Sequence, residues 1–304
     1  MAAEAGVSDS LISVQRELAR MVEASRTLNY RGVAIYELGG AVRTVSVTHA
    51  VRDDRQLERL EFLDGPRGEV VRSGERDDCV QISDLLLKGG AAGGDGVPVA
   101  RLGDHYRASL RNDDRIAGRQ VRQIYLEPRD GYRYGHLLSV DVISGLLLQE
   151  QVLDARSEVV ERIKFTTVDI GAVIDETAGE ARLKNSVAVP AAACPEPVAE
   201  TDRRTMPWQL GWVPPGFVPM GPARVTHGGV QEMHYTDGLD TFSVFVDSET
   251  SPRQDVEVRR GATVVYVLHR RDADRSHVVC VVGEVPAAAA RRIAEAVRPA
   301  PHAR

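Results

Sequence analysis

The sequence predicts an α+β protein of two domains, a long antiparallel sheet with helical cover followed by a smaller domain of strands and helix. Three observations carry this. The 304 residues exceed what one hydrophobic core usually organises and suit two domains of roughly 100 to 200 residues each. From about Arg31 to Ile170 apolar and polar residues alternate in runs separated by short turns, the period of strands that cover one face. Between Val187 and Arg204, VAVPAAACPEPVAETDRR loses periodicity and fills with Pro and Ala, as an extended linker does. The resulting boundaries are 1–186 for the first domain, 187–204 for the linker and 205–304 for the second domain.

Taken in order, SDSLISVQRELARMVEASRTLNY puts Leu11, Gln15, Leu18 and Val22 on one stripe, with Val14 and Met21 beside it. This predicts an amphipathic helix capped by Ser8, Asp9 or Ser10, with Arg16, Glu17, Arg20 and Glu23 on the wet side. The period then changes: RGVAIYEL and AVRTVSVTHAV flank Gly39-Gly40, a hairpin because glycine accepts the positive φ of a tight turn. RLEFLDGPRGEVVRSG repeats the form around DGPRG. KGGAAGGDGV, from Lys88 to Val97, lacks both GxxxxGK[ST] and GxGxxG, so it reads as a flexible loop rather than a phosphate cradle. Four more strand-like runs follow, turned at Asp113-Asp114, Asp130-Gly131 and Ser144-Gly145. In the second domain QEMHYTD and DTFSVFVD meet at Asp237-Gly238, and GATVVYVLHR and SHVVCVVGEV follow. A last helix is started by Pro286 and ends before Pro299, since Pro is tolerated in a first turn.

Composition narrows the chemistry. With 43% hydrophobic and 27% charged residues the chain is of globular type, and no apolar run is long enough to span a bilayer. A formal net charge of -6 argues against general nucleic-acid binding, which wants a clustered basic surface. Arg203-Arg204 and Arg259-Arg260 read as solvated faces. Cys79, Cys194 and Cys280 are far apart without metal-ligand spacing; a disulfide between two of them suits an oxidising compartment, and the pairing stays open. GxSxG and HExxH are absent and no two histidines stand at i,i+4, so no hydrolase or zinc motif is found. His136 and His234 read as structural, and Asp53-Asp54, Asp77-Asp78 and Asp113-Asp114 as turn residues. No catalytic residue, metal or cofactor is expected, and weight shifts towards binding. A sheet with an apolar inner face must cover it with helix, second sheet or ligand. Core packing against Leu18 and Met21 explains the alternation as well as an acyl-binding cavity does.

LNYRGVAIYELGGAVRTVSVTHAV, RLEFLDGPRGEVVRSG and RIAGRQVRQIYLEPRDGYRYGHLLSVDVISGLLLQEQVLD, then WQLGWVPPGF, HYTDGLDTFSVFVD and VVGEVPAAAARRIAEAV, resemble in the same order the RseB/MucB family. These are periplasmic negative regulators of an envelope-stress sigma factor of the sigma-E/AlgU type. The similarity covers almost the whole chain. It implies an N-terminal LolA/LolB-like unclosed antiparallel β-barrel embracing helices, plus a smaller C-terminal α/β domain with antiparallel sheet that binds the anti-sigma factor. It implies a protein that binds the periplasmic domain of an RseA/MucA-like anti-sigma factor, shields it from the stress protease, and is released by lipid or lipopolysaccharide. A homodimer is compatible with it. MAAEAGVSDS lacks the basic and apolar parts of a secretory leader, so placement in the periplasm follows from the resemblance, with the leader expected to have been removed.

On this reading the lipid-facing candidates are Val33, Ile35, Val45, Val47, Leu138, Val140 and Val142. The partner-facing candidates are Tyr132, Tyr134, Trp212 and Phe217, because aromatics carry much of the energy at interfaces. Packing of Trp212 and Phe217 inside the second domain competes with that role. Phe242 and Phe245 fall on opposite strand faces, so at most one points outward. The rival function is a periplasmic lipid or lipoprotein carrier without a signalling partner.

Overall fold

The computed structural model describes residues 2–52, 55–75, 99–174, 187–190, 206–226, 228–248, 254–272 and 275–300. The Gly-rich segment 88–97, Cys79, Cys194, the pairs Asp53-Asp54 and Asp77-Asp78, and linker residues 191–204 lie outside them.

Helix α1 (Ala2–Thr27) is followed by β1 (Tyr30–Leu38), β2 (Ala41–Arg52), β3 (Arg55–Phe62) and β4 (Glu69–Glu75). Helix α2 (Val99–His105) leads into β5 (Tyr106–Leu110), β6 (Asp114–Ile116), β7 (Arg119–Pro128), β8 (Gly135–Asp141), β9 (Leu147–Leu153), β10 (Val159–Ile170) and β11 (Val187–Pro190). These strands form one sheet in the order β11-β4-β3-β2-β1-β10-β9-β8-β7-β5, with β6 beside β7. β11 and β5 are its two ends, so the sheet is unclosed. Neighbours run antiparallel except β11, which lies parallel to β4. The stretch from Val187, expected to open the linker, thus contributes an edge strand first.

The sheet curls around α1. Val14, Leu18 and Met21 share one core with Ala34, Val45, Val47, Ile124, Leu138, Val140 and Phe165. Burying each large side chain contributes about 1.5 to 3 kcal/mol. The stripe differs from the expected one: Gln15 is exposed, whereas Glu17 is buried and held by Arg20 at 2.9 Å and Arg122 at 3.2 Å. The helix also starts before Ser8, Asp9 and Ser10, because the preceding Ala-rich residues favour helix. Gly39 and Gly40 adopt φ of 56° and 82° in the β1–β2 turn, as that hairpin requires.

The second domain comprises β12 (Trp208–Leu210), β13 (Val218–Pro219), β14 (Arg224–Val225), β15 (Gln231–Thr236), β16 (Thr241–Ser248), β17 (Val256–Arg260), β18 (Thr263–Asp272), β19 (Arg275–Gly283), α3 (Ala287–Glu295) and β20 (Val297–Pro299). Its main sheet runs β13-β15-β16-β19-β18-β17, with β14 beside β15, and β12 pairs with β20. Ala289, Ala290, Ile293 and Ala294 of α3 pack onto Val264, Val279 and Val281, a core separate from that of the first domain. Phe242 points into this core and Phe245 is half-buried, consistent with opposite faces. Among the described residues no helix is long and apolar enough to cross a membrane.

Candidate functional site at the domain junction

The two domains meet through side chains that are polar in sequence and buried in space. The β15–β16 turn, Asp237-Gly238-Leu239-Asp240, is shaped by its own ends. Asp237 Oδ1 accepts the N–H groups of Leu239 at 3.0 Å and Asp240 at 2.9 Å, and Thr236 Oγ1 donates to the Asp240 carbonyl at 2.9 Å. Such side-chain turns need no outside partner. The tip, Leu239, belongs to the core of the first domain and is 1% exposed.

Arg133, from the β7–β8 connection, receives this turn. Its Nη1 donates to Asp237 Oδ2 at 2.7 Å, its Nε and Nη2 donate to Asp130 at 3.1 Å each, and Nη2 also reaches the Pro215 carbonyl. The guanidinium lies over the rings of Tyr106 at 5.5 Å and Phe217 at 5.4 Å. Tyr106 donates its hydroxyl to the same Asp237 oxygen at 3.1 Å. Beside it, His136 of β8 stands between Glu150, 3.1 Å from Nδ1, and Asp240, 3.4 Å from Nε2.

Burial alone would pull the His136 pKa down, but the carboxylates of Asp240 and Glu150 outweigh it and the imidazole is pushed up to about 10. It is an imidazolium at neutral pH. Burial and the neighbouring Asp240 hold Asp237 above the ordinary carboxylate range against the pull of Arg133. Burial, then Asp237 and Asp240, push the Tyr106 hydroxyl well above its ordinary value.

Two further contacts flank this hub. Glu161 of β10 accepts from the Tyr36 hydroxyl at 3.0 Å and from the backbone N–H of Ala262 at 3.2 Å, while Tyr134, Val152 and Ala262 make a small shared core. Gly261, at φ 61°, abuts Leu38 and Glu161 where a Cβ would collide. Gly261→Ala is therefore expected to cost about 1 to 2 kcal/mol, the left-handed penalty of an L side chain, read as a lowered urea midpoint. On the other flank Gly216, at φ 89°, leaves room for the His105 ring. Tyr132 and Trp212 lie edge to face at 5.0 Å, and Arg292 of α3 covers Trp212 at 4.0 Å and bonds the Tyr132 hydroxyl. This patch is partly open to solvent.

The residues expected from sequence distribute unevenly over this geometry. Tyr132 and Trp212 come together at the surface, whereas Tyr134 and Phe217 are 3% and 7% exposed and sit inside. Val45, Val47, Leu138 and Val140 are packed in the core beside α1. Val33 and Ile35 stand opposite Ser46 and Thr44, while Val45 and Val47 stand opposite Ala34 and Gly32. Val33 and Ile35 therefore occupy the other face, a correction caused by the unbroken apolar run from Val33 to Tyr36, which has no period to read. Val142 follows the end of β8; its N–H donates to the Gln120 carbonyl and its own carbonyl accepts from Arg20. The sequence reading passed over Tyr106, Arg133, Glu150, Asp240 and Glu161. The one available signal was a leucine held between two aspartates in a turn between apolar strands.

A curled sheet filled by a helix, joined through a buried charged junction to a second sheet domain with an aromatic patch at the seam, defines a two-domain binding scaffold. The chain belongs to the MucB/RseB family: the MucB/RseB N-terminal domain matches residues 13–187 and the MucB/RseB C-terminal domain residues 202–298. It is 33% identical over 290 residues to the sigma factor AlgU regulatory protein MucB of Pseudomonas aeruginosa, spanning 93% of this chain and 90% of that one. Among solved structures it superposes on MucB in complex with MucA(peri) with a TM-score of 0.75, at 31% identity, covering 95% of this chain and 99% of that one. On MucB alone the TM-score is 0.66, at 29% identity, with 95% and 98% covered.

Proposed function

We propose that this chain is a periplasmic, non-enzymatic regulator that binds the periplasmic part of a transmembrane anti-sigma factor, protects it from the stress protease and is displaced by lipid or lipopolysaccharide. The observation that carries this reading is the whole-chain likeness to MucB solved with MucA(peri), TM-score 0.75. Tyr132, Trp212 and Arg292 offer a partner two aromatic faces and a cation at the seam, the residue types that anchor interfaces.

Displacement by lipid is energetically feasible. A buried methylene contributes about 0.8 kcal/mol, so a twelve-carbon chain gains roughly 10 kcal/mol gross. A micromolar to nanomolar protein contact amounts to about 8 to 12 kcal/mol. Lipid releases the partner only if it favours the partner-free form. Because Val45, Val47, Leu138 and Val140 already pack in the core with Leu18 and Met21, an acyl chain reaching them has to move α1 aside.

The test is calorimetric titration of the full chain with the periplasmic segment of the anti-sigma factor encoded in the same genome. Micromolar or tighter binding, about 8 kcal/mol or more, is expected. Absence of binding together with stoichiometric co-purified lipid would favour the carrier reading instead. Trp212→Ala is expected to weaken binding at least tenfold, about 1.4 kcal/mol, with the melting transition of the free protein retained.

A further inference from the structure

The charge balance around the Asp237–Asp240 turn depends on one proton. Three carboxylates are buried around this turn, Glu150 on β9 and Asp237 and Asp240 on the turn itself. Two cations face them, Arg133 and His136. Arg133 is spent on Asp237, Asp130 and the Pro215 carbonyl. Neither carboxylate oxygen of Asp240 has a hydrogen-bond partner among the described residues, and its one ion-pair contact is His136 Nε2 at 3.4 Å. Tyr106 of β5, the remaining titratable group against the His136 ring, is 6.1 Å away edge-on and gives its hydroxyl to Asp237. A neutral His136 would leave Asp240 buried without a counter-charge, a situation that proteins relieve by expelling or protonating the group.

We propose that the Asp237–Asp240 turn is an interdomain latch, seated in the first domain by the protonated His136 and released when that proton is lost, so that the two domains part as the pH rises. Glu150 stays beside His136 in either arrangement, because both belong to the first domain; Asp240 arrives only with docking. The docked form therefore holds the imidazole proton more tightly by the share that Asp240 adds to the rise of His136 to about 10. Docking is strongest at low pH and weakens, by up to about tenfold per pH unit, as the pH rises from the parted-state value of His136 towards about 10. Asp237, held high mainly by burial, acts with the same sign at lower pH: its contribution is present below the ordinary carboxylate value and is lost as pH rises through its raised one. The imperfect pairing of Asp240 keeps the docked state within reach of release.

The experiment uses the full chain without partner or lipid, so its failure leaves the anti-sigma reading untouched. Small-angle scattering from about pH 6 to about pH 10.5 spans the ordinary and raised histidine values. The radius of gyration of the wild type is expected to grow across this range, and Asp240→Asn to abolish the growth while each domain keeps its circular dichroism. A wild-type radius that stays constant, or an Asp240→Asn profile that follows the wild type, overturns the latch. Should Asp240→Asn fail to fold, NMR titration of ¹³C-labelled histidine in the wild type decides. A His136 midpoint well above the ordinary range that falls when Leu239→Ala unseats the turn upholds the latch, and a midpoint within the ordinary range, or one that Leu239→Ala leaves in place, refutes it.

Discussion

Arg133→Ala is expected to lower stability by about 3 to 5 kcal/mol at neutral pH, because it strips a buried carboxylate of its cation. The side chain is fully covered and its ion pair with Asp237 spans 2.7 Å with both groups out of solvent. Truncation leaves Asp237 beside Asp240 with no cation of its own, and also frees Asp130 and the Pro215 carbonyl. The pH dependence follows from the direction of the Asp237 shift. Burial and Asp240 already raise its pKa and Arg133 opposes them, so removing Arg133 raises it further. A carboxyl with a raised folded-state pKa adds stability that is present at low pH and lost as pH rises. The penalty of Arg133→Ala should accordingly be largest at neutral pH and shrink on acidification, read from urea unfolding at several pH values. Arg133→Lys should not rescue it, since one ammonium cannot reproduce the planar fork that reaches Asp130, Asp237 and Pro215 together. A loss below about 1 kcal/mol, the range of an exposed pair, would show that water enters the hub.

The hairpins of both domains were legible because alternation and turn chemistry agree: Gly39-Gly40, Ser144-Gly145 and Asp237-Gly238 all separate paired strands. Where they disagreed, legibility failed. Val33 to Tyr36 is apolar throughout, and only pairing with Ser46 and Thr44 assigns Val33 and Ile35 to the other face. The junction was illegible for a different reason. Asp-Gly-Leu-Asp satisfies every local criterion for a solvated hairpin turn, and what buries it is Arg133, 104 positions away in sequence. His136 read as a structural histidine; its charge comes from Glu150 and Asp240, which no local pattern links to it. Of the four aromatic candidates, Tyr132 and Trp212 came together across the domains, while Tyr134 and Phe217 went into cores. Sequence marks an aromatic as energetically important without saying on which side of the surface it lies.

Leu239→Ala is expected to cost about 2 to 5 kcal/mol, and to charge that cost to the docking of the domains rather than to either core. The leucine leaves the second domain at its β15–β16 turn and is counted in the core of the first, beside residues that α1 also touches. The second domain keeps its own interior of Met233, Phe242, Val244 and Val246 without it, and the first loses a plug rather than a strand. Calorimetry should therefore show one transition of the wild type separating into two, with proteolytic cutting between the domains accelerated. The apolar contribution of Leu239 carries no proton, so this effect should be the same at every pH. Loss of His136 charge, in contrast, acts only as pH rises through the window set by Asp240. Combining the two separates the forces at one turn: hydrophobic burial gives the docked state its depth, and the His136–Asp240 ion pair gives it its pH dependence. A single transition, unshifted by Leu239→Ala, would mean that the turn contributes nothing to holding the domains together.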